Sequence, residues 1–181
     1  MAFEFRIGRC TRTLWMLPSV CSVLGHNRLN SLGERGITMS EYMPSTRDWV
    51  AEQVELYEGS GGTQGTTLRG LPVIIVTNRG WKTGAIRKTP LMKVVNGNSY
   101  LPVGSQGGAP KHPLWYHNLK WNPDVEIRDG AKVYVMRVRE IEASTEKKRL
   151  WDIAVEAFPP YKDYQEKTDR AIPIFVAEMV E

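Results

Sequence analysis

The sequence is poor in cysteine, histidine and long apolar runs, and each shortage excludes a class of protein. Cys10 and Cys21 both lie near the N-terminus, outside any metal or redox spacing. A disulfide framework is therefore excluded, and a reducing cytoplasm is the expected compartment. His26, His112 and His117 have neither paired Cys residues nor an H-E-x-x-H spacing beside them, so no metal site is expected. No stretch approaches the ~20 apolar residues that span a bilayer. The most informative shortage is acid. From Gly59 to Pro123 there is no Asp or Glu, while Arg69, Arg79, Lys82, Arg87, Lys88, Lys93, Lys111 and Lys120 are present. All 20 acids of the 181 residues lie outside that stretch, so a formal net charge of +4 conceals a basic central third. Such asymmetry points to an anionic partner.

The rest of the composition, 41% hydrophobic and 24% charged, suits one packed domain. Residues 1–42 are set apart. Arg6, Arg9 and Arg12 precede the apolar stretch Leu14 to Leu24, as in a signal peptide, but Pro18 interrupts it and no small-residue cleavage pattern follows. The preferred reading is a disordered extension, or a translation start placed too early with Met39 or Met43 as the first residue. That leaves 43–181 as the working domain.

Ser45 and Asp48 predict a capping box, followed by a helix with Trp49, Val50, Val54 and Tyr57 on its apolar face and Gly59 as its left-handed cap. Leu71 to Thr77 reads as a strand buried on both faces, with Pro72 at its start. Thr89 to Val95 and Ser99 to Val103 flank Asn96-Gly97-Asn98 as a hairpin. Pro110 opens a helix over Lys111 to Trp121, and Asn122-Pro123 ends it. A second hairpin joins Val125–Arg128 to Ala131–Val138 through Asp129-Gly130. Ser144 or Thr145 caps a helix over Glu146 to Phe158, which Pro159-Pro160 stops. A polar, Tyr-rich segment then leads into a last strand, Ile172 to Glu178. Hairpin-linked strands with inserted helices predict an antiparallel sheet closed into a small barrel.

Three segments could carry chemistry. The loop Thr77 to Lys88 holds Arg79, Lys82, Arg87 and Lys88 with Gly80 and Gly84, so backbone amides, hydroxyls and cations could meet an anion. Gly104 to Lys111 joins a strand to a helix, which places Lys111, Trp115 and Asn118 at i, i+4 and i+7. Tyr161 and Tyr164, three apart, could cover a flat ring or give a proton. Taken alone, the first is evenly balanced against a solvated basic loop, while the helix stripe reads sooner as core packing and the tyrosines as rim packing. His112 and His117 read as surface or capping residues.

The combination is more specific than its parts. Lys82-Thr83-Gly84 with Arg87 and Pro90, Gly107-Gly108, Lys111 with Pro113, Trp115-Tyr116-His117-Asn118-Leu119, Asn122-Pro123, and Tyr161-Lys162-Asp163-Tyr164 through Thr168-Asp169-Arg170 to Ile172-Pro173 follow in one order. Together they resemble the deazaflavin-dependent nitroreductase family of actinobacteria, over the chain from Gly59 to Glu178. The resemblance implies a mainly β fold with flanking helices (α+β), a split β-barrel like those that bind FMN. It implies as cofactor the reduced coenzyme F420, an 8-hydroxy-5-deazaflavin with a phosphate and a polyglutamate tail. By position, Lys82, Thr83 and Arg87 would hold the phosphate and tail. Gly84, Lys88, Pro90, Gln106, Gly107, Gly108 and Lys111 would complete the coenzyme's surroundings. Ser105 would lie near the ring, with Trp115 and Asn118 in its pocket, and Tyr161 and Tyr164 on the acceptor side.

The activity implied is hydride transfer to an electron-poor acceptor, an enone or lactone C=C, a quinone or a nitroaromatic ring. The proton would come from Tyr161, Tyr164 or Ser105. Trp81 and Gln106 stand where the nitroreductase that names the family has cations, and Phe158 where it has Tyr, which implies an altered acceptor preference. The alternatives are an FMN-dependent split-barrel oxidoreductase and a non-catalytic binder of the coenzyme. The expected partner is a small-molecule acceptor and not nucleic acid, with peripheral membrane association if the acceptor is a quinone. Monomer and homodimer both remain open.

Overall fold

The apolar, β-branched run beginning at Leu71 becomes a strand that two different cores share. The structure is a computed structural model and describes residues 41–180. Its strands are β1 (Thr67–Leu68), β2 (Leu71–Arg79), β3 (Ile86–Met92), β4 (Val95–Asn96), β5 (Ser99–Tyr100), β6 (Asp124–Asp129), β7 (Lys132–Glu140) and β8 (Phe175–Met179). Its helices are α1 (Asp48–Gly59), α2 (Leu114–Trp121), α3 (Thr145–Ala157) and α4 (Pro160–Glu166), with a 3₁₀ turn at Gln106–Gly108. Successive residues of a strand face opposite sides of a sheet. Ile74 and Val76 accordingly enter one core with Trp115 and Leu119 of α2, while Val73 and Ile75 enter another with Val54 and Tyr57 of α1. β8 divides in the same way. Phe175 and Ala177 join the α2 core, and Val176, with Ile174 just before the strand, joins a third with Leu150 and Ala154 of α3.

The sheet is antiparallel, in the order β1-β2-β6-β7-β8-β5-β4, with β3 on β2. Its outer strands β3 and β4 are successive stretches of chain, separated only by Lys93 and Val94. Lys93 N–H donates to Pro72 O at 2.9 Å, and Leu101 N–H to Val94 O at 2.9 Å. The sheet therefore curls until its two edges are joined by the chain itself, a half-barrel whose edge strands make no ladder with each other. Register then places the site. Asp124 lies opposite Arg137, Glu140 opposite Phe175, and Val103 bridges Ile174. Thus β2 and β7 end, and β6 and β8 begin, at the edge of the sheet from which the 80–85 and 104–109 loops also leave.

Several expectations need correction. Ser45 does not cap α1: its Oγ accepts Arg47 N–H, and the N-cap residue is Arg47 without a side-chain cap. Gly59 is the last helical residue, and the left-handed residue is Gly61, φ 66°. Trp49 is 48% exposed, because the buried face follows Val50, Val54 and Tyr57 at i, i+4 and i+7. The strand predicted over Thr89 to Val95 begins at Ile86 and breaks at Lys93, and the hairpin turn is Gly97-Asn98. α2 begins at Leu114 behind Pro113, so Lys111 is not helical and shares no helix face with Trp115 and Asn118. The Tyr-rich segment is a helix, α4, with Pro160 at its first position, where its missing N–H costs nothing. Ser144 caps α3 as expected, accepting Lys147 N–H at 3.3 Å.

The expectations for residues 1–40 lie outside the described residues. Glu41 and Tyr42, assigned to the extension, pair with the sheet: Ile86 N–H donates to Glu41 O, and Tyr42 bridges Ile86.

One polar latch crosses the α1 side. The Tyr57 hydroxyl donates to Val73 O at 3.2 Å and accepts Gly130 N–H at 2.9 Å. Beside it, Gly62 lies so close to the β6–β7 turn that a Cβ would fall 1.9 Å from Gly130 O, and its φ is 85°. Gly62→Ala should therefore lower the unfolding free energy by about 1–3 kcal/mol through overpacking. Tyr57→Phe should cost about 1 kcal/mol through the lost hydrogen bonds. Urea denaturation of the two variants against the parent chain checks both.

Candidate functional site

The 80–85 loop is a tight turn closed by backbone bonds. Gly80 N–H donates to Ala85 O at 2.8 Å, and Gly84 N–H to Gly80 O at 2.7 Å. Thr83 Oγ1 accepts Ala85 N–H at 3.3 Å, and Gly84 has φ 70°. Lys82 is exposed on this turn, its ammonium 4.9 Å from the Trp81 ring centroid. The loop is anchored from below. Asn118 of α2, 6% exposed, accepts Trp81 N–H on Oδ1 at 3.1 Å and donates through Nδ2 to Asn78 Oδ1 at 2.7 Å. The Trp81 amide fixes both side-chain orientations, because only an oxygen of Asn118 can accept it. Asn78, 2% exposed at the end of β2, is left with a buried Nδ2 that has no partner.

The second loop is held by Arg170. Its Nε donates to Ala109 O at 2.9 Å, and Nη2 donates to Gly104 O at 3.1 Å and Ser105 O at 2.7 Å. Nη1 lies 3.4 Å from His112 Nδ1. On the other side Gly108, φ 82°, is pressed against α4: a Cβ there would fall 2.7 Å from Tyr164 O. Gln106 is held at φ 47°, a left-handed conformation uncommon for a side-chain-bearing residue. Ser105 is 9% exposed, while Gln106 and Gly107 face solvent.

α2 links the loops. His117 contacts the Trp81 ring at 6.1 Å, and Tyr116 stacks on His112 at 4.2 Å and 16°. His112 is thereby more than a surface residue: it is half-buried between Tyr116 and Arg170. Trp115 points into the core and meets Phe175 at 6.0 Å.

The predicted tyrosines separate in character. Tyr161 is 4% exposed, set among Phe158, Trp151 and Tyr164. Burial, and then Tyr164, raise its phenol well above the ordinary range. Tyr164 is half-buried, with the Lys167 ammonium 5.6 Å from its ring.

The cations of the acid-free stretch do not all face outward. Lys88 is ion-paired to Glu58, Lys93 to Asp129, and Lys120 to Glu140. Arg87 donates to the carbonyls of Met43 and Pro44, both at 3.1 Å. Pro90 is buried in β3 opposite Ile75. Among the described residues Lys82 and Lys111 make no ion pair, and neither does Arg170. Two acids at this end of the sheet are already engaged, Asp124 by Arg137 and Glu140 by Lys120. What is left is a cluster of cations on and around two loops, a donor set that fits an extended anion.

A sequence profile of the F420H(2)-dependent quinone reductases matches residues 49–179, most of the chain. The chain belongs to the F420H(2)-dependent quinone reductase family. It is an oxidoreductase family whose coenzyme is F420H2. A family member of Mycobacterium tuberculosis strain H37Rv is 39% identical over 124 residues, 67% of this chain and 83% of that protein. A solved F420-H2 dependent reductase, FDR-A, is 48% identical, covers 59% of this chain and 94% of its own, and superposes with a TM-score of 0.56. Another solved structure, described as a domain-swapped dimer, is 46% identical over 74% of this chain and 100% of that one, with a TM-score of 0.58. The fold of this quinone reductase family member, a curled antiparallel sheet with flanking helices, is that of the split-barrel F420-dependent reductases.

Sequence reasoning missed Asn78, Arg170 and the place of His112. Asn78 left one signal, an amide at the end of an apolar β-branched strand. Arg170 stood in a recognised motif without a role.

Two outcomes follow. Asn118→Leu leaves the Trp81 N–H and Asn78 Oδ1 unpaired, and should cost about 1–3 kcal/mol in urea denaturation. It should also speed hydrogen exchange at the Trp81 amide. His112 should titrate below its ordinary 6.5, because burial first and then the Arg170 charge disfavour its protonated form. The unfolded chain takes up that proton more readily, so this residue's contribution to stability declines as pH falls through 6.5. An NMR titration of the His112 ring protons checks the direction.

Proposed function

We propose that this chain binds reduced coenzyme F420 across the 80–85 and 104–109 loops and passes its reducing equivalents to a quinone-type acceptor. Activated enones, lactones and nitroaromatic rings, which share the electron-poor character of a quinone, are proposed as further acceptors. The observation that carries the reading is the convergence of the two loops at one sheet edge. Cations remain there without acid partners, within a chain of the quinone reductase family.

When bound, the reduced deazaflavin supplies a hydride. Lys82 and Lys111 would hold the phosphate and the acidic tail, with Thr83 adding a hydroxyl and Arg87 a charge already fixed by the Met43 and Pro44 carbonyls. Lys88, paired with Glu58, would contribute through the field and not through contact. The exposed Gly107 would leave the coenzyme's surface free of a side chain, Gly108 would act by letting the loop close on α4, and Ser105 would border the ring. Asn118 would act chiefly by fixing Trp81, and Trp115 by forming the floor of the pocket. The proton that accompanies the hydride is assigned to Tyr161 or Tyr164. The Tyr161 phenol, raised above its ordinary range by burial and then Tyr164, stays protonated at neutral pH and would serve as a hydrogen-bonding acid. Ser105 is the remaining donor. A homodimer is the proposed assembly, supported by the relative described as a domain-swapped dimer. No helix among the described residues is long and apolar enough to cross a membrane. A quinone acceptor would favour peripheral contact with one.

The full chain should oxidise reduced F420 in the presence of menadione, followed by the return of deazaflavin absorbance, with an enone and a nitroaromatic compound as parallel arms. Absence of turnover with every acceptor, or tighter binding of FMN than of F420 in a fluorescence titration, would overturn the reading. Lys82→Ala and Lys111→Ala should each raise the KM for the coenzyme about tenfold, the worth of one charge-assisted hydrogen bond. The KM for menadione should stay unchanged.

A further inference from the structure

Arg170 belongs to neither loop, yet three of the carbonyls that shape the second loop end on its guanidinium. The described peptide bonds are all trans, so the N–H of each peptide unit points opposite to its C=O. With Gly104 O and Ser105 O drawn toward the guanidinium, the N–H groups of Ser105 and Gln106 are turned away from it. Ser105 is right-handed (φ −68°, ψ −42°) and Gln106 left-handed (φ 47°). That pairing of conformations gathers successive amides into an anion-accepting concavity. The left-handed Gln106 persists only where its surroundings over-determine it. Arg170 supplies one side of that constraint, and the close approach of Gly108 to Tyr164 the other.

Arg170 is also an unmatched cation. Its contacts are carbonyls and one imidazole nitrogen, and no carboxylate of the described residues lies within ion-pair distance. Burial alone pulls its pKa down, with no acid to oppose it. An unpaired, half-buried charge is costly and gains from any anion brought to its field.

We propose that Arg170 is a positioning residue for coenzyme binding, which locks Gly104 to Ala109 into an amide-presenting turn and sets a fixed positive charge against it. The coenzyme half of this statement rests on the function proposed above. The clamp half does not.

The test uses Arg170→Gln, which removes fork and charge, and Arg170→Lys, which keeps the charge alone, both in the full chain. In coenzyme-free protein, hydrogen exchange at the Gly104 and Gly108 amides should be at least tenfold faster in both variants. The Kd for F420, measured by fluorescence, should rise at least tenfold in Arg170→Gln, with a shallower dependence on salt. Arg170→Lys should fall between, with the salt dependence restored and the loop protection still lost. The KM for menadione should move less than twofold in either, and His112 should titrate at higher pH in Arg170→Gln. If Arg170→Gln binds F420 within twofold of the parent and keeps the loop protection, the proposal is wrong. Should Arg170→Gln fail to fold, parent-like exchange in Arg170→Lys overturns the clamp. If the parent chain itself does not bind F420, the proposed function fails and takes the coenzyme half with it, while exchange still decides the clamp.

Discussion

Burial of β2 and β8 on both faces governs the rest of the structure. A strand covered by α1 on one side and α2 on the other has no face left for polar chemistry, so its side chains are apolar from Val73 to Val76. Polar work is displaced to the strand ends. Asn78 is the last buried residue of β2, and exposed cations follow at once, Arg79 as the strand's last residue and Lys82 on the loop. β8 meets the same constraint at its start, where Pro173 accepts Gly104 N–H and carries the chain from Arg170 into the core. The curl of the sheet brings the two loops to one edge.

The charge pattern has a more exact meaning in three dimensions than along the chain. A stretch without acids is not a surface without acids, for Glu58, Asp129 and Glu140 fold back from other elements to pair with Lys88, Lys93 and Lys120. Such half-exposed pairs are worth little to stability, about 0–1 kcal/mol each. Their effect is to remove three cations from the free set and to leave the remainder concentrated. Among the described residues Lys82 and Lys111 on the loops, and Arg170 beneath one of them, are among the cations without an ion pair. A polyanion meets a localised patch there.

Much of this was legible in sequence, and for physical reasons. β2 declared itself by an unbroken β-branched run, the β6–β7 hairpin by Asp-Gly, and the two-residue β4–β5 hairpin by Asn-Gly, although the strand expected to lead into it, now β3, pairs with β2 instead. α3 was marked by Ser144 and by an apolar stripe through Leu150 and Ala154. These are local signals, set by backbone preference and side-chain period. The errors fell where competition is decided locally but weakly. Ser45 could cap a helix, yet bonded to Arg47 instead. Pro160 could end one helix or begin the next, and did both. Pro110 could open α2, but Pro113 holds that place, and Lys111 was lost from the helix face with it.

The site was legible as a set of residue types, and its assembly was not. The Asn78–Asn118 bond spans 40 residues, and Arg170 reaches back 61 to Ala109 and 66 to Gly104. No local pattern encodes such pairings, since neither partner affects the backbone preference of the other. They arise only once the curl of the sheet has brought α2 and the start of β8 beneath the two loops. The cations that face outward can be exchanged or displaced with modest effect on the fold. The buried amides and the guanidinium cannot, because each leaves stranded partners in a low-dielectric interior. The chemistry at the surface is therefore the adjustable part of this site, and the polar chain below it is the part that holds the loops in register.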